Sequence, residues 1–326
     1  MKNKIKILII GTGSIAKRHA KNTIKIFNKK KYDCEIFIFS KKIDRATKFS
    51  RNLTVKNFII KKKNNIKNIK FDYVLIASDI SSHIEWLKFF KKDKLKIFCE
   101  KPLVVEKKDI NWLEKNKSYF KKVFIGFQYR FDPVTIKLKN ILRKKLFGKL
   151  LSTSFEIGQD IKDWRKGNDF RNEFAFGKTN KNKRSVIWEL CHDVDLMFYL
   201  IGSPSKIFTQ ESKVKYKKIN TKDFAHLIGT YKDNSKLIIS QNMFSPSLYK
   251  KLNLIFEKKL VEADFVNRKI ELSSKNKKKK IVFKKDRNIP FIKELESFFV
   301  KKKNDITIQD GLRVSKFIAN SQINIK

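Results

Sequence analysis

Cysteine is scarce in this chain: three in 326 residues, at positions 34, 99 and 191. Widely spaced and odd in number, Cys34, Cys99 and Cys191 offer neither a disulfide framework nor a zinc-binding spacing, which fits a reducing cytoplasm. No run of ~18 apolar residues occurs, so no membrane span is expected. The N-terminus has lysines before an apolar stretch, as an export signal would. That stretch is only Ile5 to Ile10 and a glycine turn follows, so it reads as a first strand. Acidic residues are few, 32 against 77 basic, for a net charge of +45. Such an excess raises nucleic acid as a partner, but arginine is scarce as well: 11 against 66 lysines. Phosphate and base readout favour the arginine fork. The basic excess is spread over the whole chain, and Lys, Ile, Asn and Phe are inflated together, as A/T-rich codons would produce. No nucleic-acid partner is therefore expected. The positive field would still attract anionic small molecules such as phosphates, carboxylates and nucleotide sugars.

What is present is 41% hydrophobic and 13% aromatic side chains, enough for real cores in about two domains. Over the first ~125 residues, apolar runs alternate with helix-like stretches. Strands are expected at Lys4–Ile10, Glu35–Phe39, Phe58–Ile60, Tyr73–Ala77, Lys96–Cys99 and Val123–Phe127. Continuous β-branched and large apolar runs suit strands buried on both faces, and the alternation predicts a parallel, doubly wound sheet. From residue 126 onward strand-like stretches dominate and predict a second domain on an antiparallel sheet. A helix over Val186–Ile201 interrupts it, stopped by Gly202-Ser203-Pro204. Two helices close the chain, at about Pro290–Lys303 and Thr307–Ser321. Lys61–Lys70 and Ser274–Lys280 read as Lys/Asn-rich loops. The expected organisation is α/β, with one domain over residues 1–125 and a second, α+β, over 126–326.

The sharpest local signal is Gly11-Thr12-Gly13-Ser14-Ile15-Ala16, after the first strand and opening a helix. Gly11 permits a tight turn, Gly13 a close approach of backbone to a pyrophosphate, and Ala16 close packing of helix on strand. The helix N-terminus then presents N–H groups to the phosphates. At the end of the second strand an acid would hold a ribose 2′-hydroxyl. Here the chain reads Ser40-Lys41-Lys42 with Arg45 one turn on, which suits a 2′-phosphate instead, with Asp44 a few residues late. Lys41 and Lys42 can also be read as two more surface lysines, so NADP is the expected dinucleotide and NAD stays open.

Cys99-Glu100-Lys101-Pro102 stands at the C-terminal end of a buried strand, where open α/β sheets bind ligands. A lysine beside a nicotinamide can exchange a proton with a substrate oxygen. In Trp188-Glu189-Leu190-Cys191-His192-Asp193-Val194-Asp195, the three-residue spacings put Glu189, His192 and Asp195 on one helical face. A histidine between carboxylates suits acid–base work near neutral pH; a core histidine satisfied by Asp195 is the plainer alternative. This face carries too few ligands for a metal, and none is expected.

Together these residues resemble the glucose–fructose oxidoreductase / inositol dehydrogenase family (Gfo/Idh/MocA). Ile10 to His19 looks like the family's opening, and Ala77-Ser78-Asp79-Ile80-Ser81-Ser82-His83 like its tPxxxH loop, with Asp79 where proline is usual. Glu100-Lys101-Pro102 matches its EKP motif. Gly126-Phe127-Gln128-Tyr129-Arg130-Phe131-Asp132-Pro133 resembles its gfNxRfxP crossing, Glu189 to Asp195 its ExxHxxD, and Gly311-Leu312 the start of its last helix. The resemblance implies a Rossmann domain followed by a domain with a large open, mostly antiparallel sheet. It implies an NAD(P)-dependent oxidoreductase of a sugar or nucleotide sugar, assembled as a homodimer or homotetramer through that sheet. Lys101 and His192 would be the catalytic pair, with Glu189 beside them. Gly11 to Ile15, Ser40, Lys41, Arg45, Ala77, Ser78, His83, Glu100 and Lys101 would line the dinucleotide, and the Lys101–Pro102 bond is often cis in the family. Gln128, Arg130 and His192 would face substrate. So would Trp164 and Arg165, since Asp163-Trp164-Arg165 with Arg171 looks like members of nonulosonic-acid-type and other surface-sugar pathways. One departure is Lys183-Arg184-Ser185, where many members carry glycines. A non-catalytic NADP-sensing regulator, or a member acting on a non-sugar substrate, are the alternative readings.

Overall fold

A computed structural model of the chain describes residues 4–164, 185–216, 221–301 and 304–321. They fall into two compact units. The first is 1–131 with 288–316, and the second 132–287 with 317–326. The segment 288–316, assigned from sequence order to the second domain, thus belongs with the first. A helical segment joins whichever core its apolar face fits, and sequence order does not report that.

The first unit holds strands β1 (Ile5–Ile10), β2 (Cys34–Phe39), β3 (Asn57–Ile60), β4 (Tyr73–Ile76), β5 (Lys96–Cys99) and β6 (Val123–Ile125). They form one sheet in the order β3-β2-β1-β4-β5-β6, with every neighbouring pair parallel. All of β2 is buried, as are Ile7 to Ile10 of β1, which is why these strands read as unbroken apolar runs. Between them run α1 (Ser14–Lys29), α2 (Ile43–Ser50), α3 (Ile80–Phe89) and α4 (Lys107–Asn116). The strand order reverses between β1 and β4, so the crevice at their C-terminal ends is the place where such sheets bind ligands. This is a Rossmann arrangement.

The second unit opens with α5 (Pro133–Lys144), capped by Asp132, whose carboxylate accepts from the Val134 amide at 2.9 Å. Its sheet comprises β7 (Leu150–Gly158), β8 (Lys206–Ser212), β9 (Phe224–Thr230), β10 (Lys236–Asn242), β11 (Tyr249–Phe256), β12 (Leu260–Asp264), β13 (Lys269–Ser274) and β14 (Lys277–Val282). The order is β14-β13-β12-β11-β7-β10-β9-β8, antiparallel except for the parallel β7–β10 pair. Strand β11 alternates buried and accessible residues along its length, the mark of a sheet packed on one face. Short helices α6 (Ile161–Trp164) and α7 (Val186–Glu189) precede α8 (His192–Leu200). Helix α9 (Ile289–Val300) lies in the first unit, and the boundary between units falls within α10 (Ile308–Ser321).

Two expectations need correction. Ser274–Lys280 is not a loop: Lys277 to Val282 form the edge strand β14, paired antiparallel with β13. An edge strand presents one row of backbone to solvent, and lysines there suit that exposure without any apolar pattern to betray the strand. The helix expected over Val186–Ile201 is also two helices, broken at Leu190-Cys191. Glu189 therefore ends α7 while His192 begins α8. The shared helical face holds for His192 and Asp195 but not from Glu189 to His192.

Candidate functional site

The candidate residues of the first unit meet at one level of its sheet. Beyond the strand ends the parallel ladder from β2 to β6 continues by one backbone bond between each neighbouring pair. The Gly11 amide donates to Phe39 O at 2.9 Å, Ala77 to Ile10 O at 2.9 Å, Glu100 to Ile76 O at 2.9 Å and Gly126 to Cys99 O at 2.9 Å. Gly11, Ala77, Glu100 and Gly126 are thus in line along the C-terminal edge, although the sequence separates them by up to 115 positions.

At Gly11 the backbone has φ +114°, and a Cβ would lie 2.3 Å from the Ala77 carbonyl oxygen. Only glycine fits there, on both counts. A Cβ at Gly13 would meet nothing within 4 Å. Gly13 borders open space at the start of α1, whose first turn has no side-chain cap and no acidic residue. An uncapped N-terminus behind a glycine turn is a ready anion site, and the residues present fit a dinucleotide pyrophosphate. Thr12 and Ile15 are half-buried and Ser14 exposed, while Ala16 is fully buried. At the tip of β2, Ser40 Oγ accepts from the Lys42 amide at 3.2 Å. Lys41, Lys42 and Arg45 are exposed, and α2 carries Asp44 in its first turn.

The Lys101 turn is gripped from several directions. Lys101 is half-buried, and its peptide bond to Pro102 is cis. The Lys101 amide donates to Glu100 Oε2 at 3.1 Å. The other carboxylate oxygen of Glu100 accepts from Nε2 of His19, on α1, at 2.5 Å. Burial alone would raise the Glu100 acid. The His19 hydrogen bond and charge, the Lys101 charge and the Lys101 amide outweigh it and hold Glu100 below the usual carboxylate range. His83, fully buried on α3, faces Pro102 O (3.1 Å) and Leu103 O (3.3 Å) with Nδ1, and Ser78 O (3.2 Å) with Nε2. Burial pushes its pKa down despite these carbonyls and Glu100. Ser78 also bonds Ser82 through the two hydroxyls at 2.7 Å. Glu100 and His83 thus support the loops rather than lying bare at the edge of the sheet.

The returning segment completes the support. Ser315 Oγ donates to Val104 O at 2.7 Å. Gly311 lies where a Cβ would be 2.9 Å from Leu103 Cδ2 and 3.0 Å from Ile125 Cγ1, so its small size lets α10 close on the turn. His19 as the partner of Glu100, and Ser315, were not singled out as site residues from sequence. His19 could have been flagged as a polar residue on the buried face of an amphipathic helix; nothing local marks Ser315. Gln128 is half-buried in a 3₁₀ turn. Arg130, expected at substrate, is 3.0 Å from Asp310. Asp310 in turn accepts from the Thr307 amide and hydroxyl, which satisfies a backbone donor at the start of α10.

In the second unit the candidate histidine begins α8. His192 is buried, Asp195 is fully buried, and Glu189 is half-buried at the end of α7. The turn carrying His192 is fixed from the sheet. Gln241 Nε2 donates to Leu190 O and to Asp193 Oδ2, both at 2.9 Å, and the Lys250 ammonium pairs with Asp193 Oδ1. Lys250 and Gln241 were missed as well. Each occupies an inward position of its strand, Lys250 in series with Leu252 and Leu254, and Gln241 with Leu237 and Ile239. A polar residue in an inward series is the signal that could have found them. Ser185 caps α7 through a 3.2 Å bond from the Ile187 amide. The side chain of Trp164, and Arg165, Arg171, Lys183 and Arg184, lie outside the described residues. Among the described residues no group of three or more His, Cys, Asp or Glu is placed to hold a metal ion. Among them, too, no helix is long and apolar enough to cross a membrane.

Residues 5–123 match the Gfo/Idh/MocA family profile, described as an oxidoreductase family with an NAD-binding Rossmann fold. The chain is 30% identical over 147 residues to a myo-inositol 2-dehydrogenase of Thermotoga maritima, covering 44% of this chain and 42% of that protein. The chain spans less than two thirds of the length of the curated relatives it matches. Among solved structures it resembles a levoglucosan dehydrogenase in complex with NADH (TM-score 0.84, 14% identity, 98% of this chain and 96% of that one). It also resembles a UDP-N-acetylglucosamine 3-dehydrogenase of Acidithiobacillus ferrooxidans (TM-score 0.77, 16% identity, 99% and 98%). At these identities the structural likeness concerns the fold, which extends over both units.

Proposed function

We propose that the chain, whose residues 5–123 match the Gfo/Idh/MocA oxidoreductase family, is an NADP-preferring oxidoreductase of a sugar or nucleotide sugar. The hydride would pass between nicotinamide and a carbon that is CH–OH in one state and C=O in the other. The observation that carries this reading is the alignment of the Gly11 turn and the Lys101 turn at one level of the sheet edge, each held by its own hydrogen bonds. A bound dinucleotide supplies the hydride chemistry. The chain's own part is to hold the pyrophosphate on the Gly11–Ile15 backbone and to move the hydroxyl proton. Lys101 takes that proton in oxidation and returns it in reduction, with His192 as the second acid–base group and Glu189 beside it in sequence. The substrate class rests on the resemblance to inositol, levoglucosan and UDP-N-acetylglucosamine dehydrogenases. The three cysteines are buried and unbridged, in keeping with a cytoplasmic setting. The test is nicotinamide absorbance with NADP⁺ or NAD⁺ and a panel holding myo-inositol, levoglucosan and UDP-N-acetylglucosamine. No hydride transfer from any member of a broad sugar panel would sink the enzyme reading in favour of a nucleotide sensor.

The choice of NADP rests on half-buried Ser40 at the tip of β2 and on exposed Lys41 and Arg45 after it. Calorimetric titration is expected to give tighter binding of NADP than NAD. Lys41→Asp is expected to weaken NADP by about tenfold or more, the worth of one charge-assisted contact exchanged for repulsion, and NAD far less. Equal affinities in the unsubstituted protein would remove the assignment.

We also assign the open face of the second unit's sheet to a second copy of the chain. Phe208, Ile228 and Ile238 stand in cross-strand register on β8, β9 and β10, at 55%, 52% and 41% exposure. Three large apolar residues in one row form a contiguous patch of the kind that marks an interface. Ile228→Lys is expected to convert the homodimer or homotetramer to monomer, read by light scattering. A monomeric unsubstituted protein at micromolar concentration would overturn this.

A further inference from the structure

We propose that Glu100, held by His19, is the positioning residue that sets both the backbone geometry and the proton affinity of Lys101. The proposal rests on the reading of Lys101 as proton carrier and deepens it. Glu100 is buried yet uses its two oxygens in two directions. Oε1 is 2.5 Å from His19 Nε2, and Oε2 takes the Lys101 amide at 3.1 Å. A carboxylate so tethered cannot swing away when Lys101 changes charge. It therefore anchors the turn and places a fixed negative charge one residue from the ammonium. Two further titratable groups stand beside it. Cys99, fully buried, precedes it on β5, and its thiol is pushed well up by burial first and by the Glu100 charge second. His83, from α3, feels the Glu100 charge and holds the far side of the turn through Pro102 O and Leu103 O. On the β6 side is Gly126, where a Cβ would lie 3.3 Å from the Glu100 carboxyl carbon, so no side chain competes for the carboxylate there.

An anion within a few ångströms favours the ammonium form of a lysine by about one unit or more. Glu100 thus favours the ammonium form of Lys101, which must lose its proton to solvent before it can take the one on the substrate hydroxyl, and so raises the pH at which oxidation begins. His19 acts one step further back. With Nε2–H donating, it compensates the burial of Glu100, which would otherwise take up a proton and cease to be an anion. The link also joins α1, the helix whose N-terminus faces the phosphates, to the backbone of the proton carrier.

The test needs no substrate. The full-length protein is trace-labelled with acetic anhydride from about pH 7 to about pH 11, around the ordinary lysine range. Mass spectrometry then follows the peptide carrying Lys101, with exposed Lys62 and Lys258 as internal references. In Glu100→Gln the labelling midpoint of Lys101 is expected to fall by about one unit, an approximately tenfold gain in reactivity below the midpoint, while the reference lysines stay put. His19→Phe is expected to move Lys101 the same way. His19→Gln, whose amide keeps a donor near the Nε2 position, is expected to restore most of the original midpoint. A purely structural role for the pair would alter unfolding but leave the Lys101 midpoint where it was. An unchanged midpoint in folded Glu100→Gln or folded His19→Phe overturns the proposal, whatever Lys101 does in turnover. Conversely, a moved midpoint together with normal turnover in Lys101→Ala supports the tuning and sinks only the proton-carrier reading.

Discussion

Lys101→Ala is expected to bind NADP as the unsubstituted protein does and to turn over its sugar about 10²-fold more slowly or worse. The two halves of this expectation come from different parts of the first unit. In the proposed reading phosphate binding rests on the Gly11–Ile15 backbone and the uncapped start of α1, none of which uses the Lys101 side chain. The Lys101 backbone is held by Glu100 and by the His83 contacts to the two following carbonyls, so truncation beyond Cβ leaves the turn in place. What is lost is a positioned acid–base group, whose usual worth is 10²- to 10⁴-fold, about 3–5 kcal/mol of barrier. His192→Ala is expected to cost less if Lys101 carries the proton alone, and about as much if the two act as a unit. The pH profile of turnover then reports apparent values of the coupled groups. Single-turnover absorbance at the nicotinamide band decides the matter. Normal hydride transfer in Lys101→Ala would defeat the mechanism, and absence of transfer in every form of the protein would favour a nucleotide sensor.

The second large effect concerns stability. Asp193→Ala is expected to destabilise the protein by about 3–5 kcal/mol, because it leaves the Lys250 ammonium buried without its carboxylate. Lys250 and Asp193 are 3% and 2% exposed, and Gln241 is fully buried beside them, so water cannot readily take the place of the lost oxygens. Gln241 would lose one of its two acceptors as well. The double variant Asp193→Ala/Lys250→Met is expected to recover a substantial part of the loss, since neither charge then remains. Urea unfolding of the two single variants and the double measures this as a coupling. If the double variant is destabilised by the sum of the singles, the pair does not interact as the geometry requires. Because Asp193 follows His192 directly and its partner Gln241 also holds Leu190 O, the same single variant is expected to loosen the turn that presents His192.

Much of the first unit was legible in the residues because its information is local. Unbroken apolar runs such as Lys-free Ile7 to Ile10 identify strands buried on both faces. The Gly11-Thr12-Gly13 turn announces itself because a positive φ and a close approach to Ala77 tolerate no other side chain. Two successive helical signals around Glu189 and His192, by contrast, looked like one. A break at Leu190-Cys191 costs only a hydrogen bond or two, and no glycine or proline marks it. Strand β14 was invisible for a related reason. Its edge position lets four successive lysines stay in water, so the two-residue apolar rhythm that reveals β11 is missing.

By itself the sequence determined the strand–helix alternation and parallel character of the first sheet, the antiparallel character of most of the second, and the turns at Gly11 and Lys101. Each of these depends on the residue and its near neighbours: which side chains alternate, which are apolar throughout, where only glycine fits. The tertiary structure alone decided who supports whom. It joined His19 to Glu100 across 81 positions, Ser315 to Val104 across 211, and Lys250 to Asp193 across 57. It also returned residues 288–316 to the first unit. Such pairings arise because a buried polar group must find its partner wherever packing happens to bring one. In a chain with 66 lysines, the inward series with Leu252 and Leu254 can mark Lys250 as buried, but only the fold supplies Asp193 as its partner.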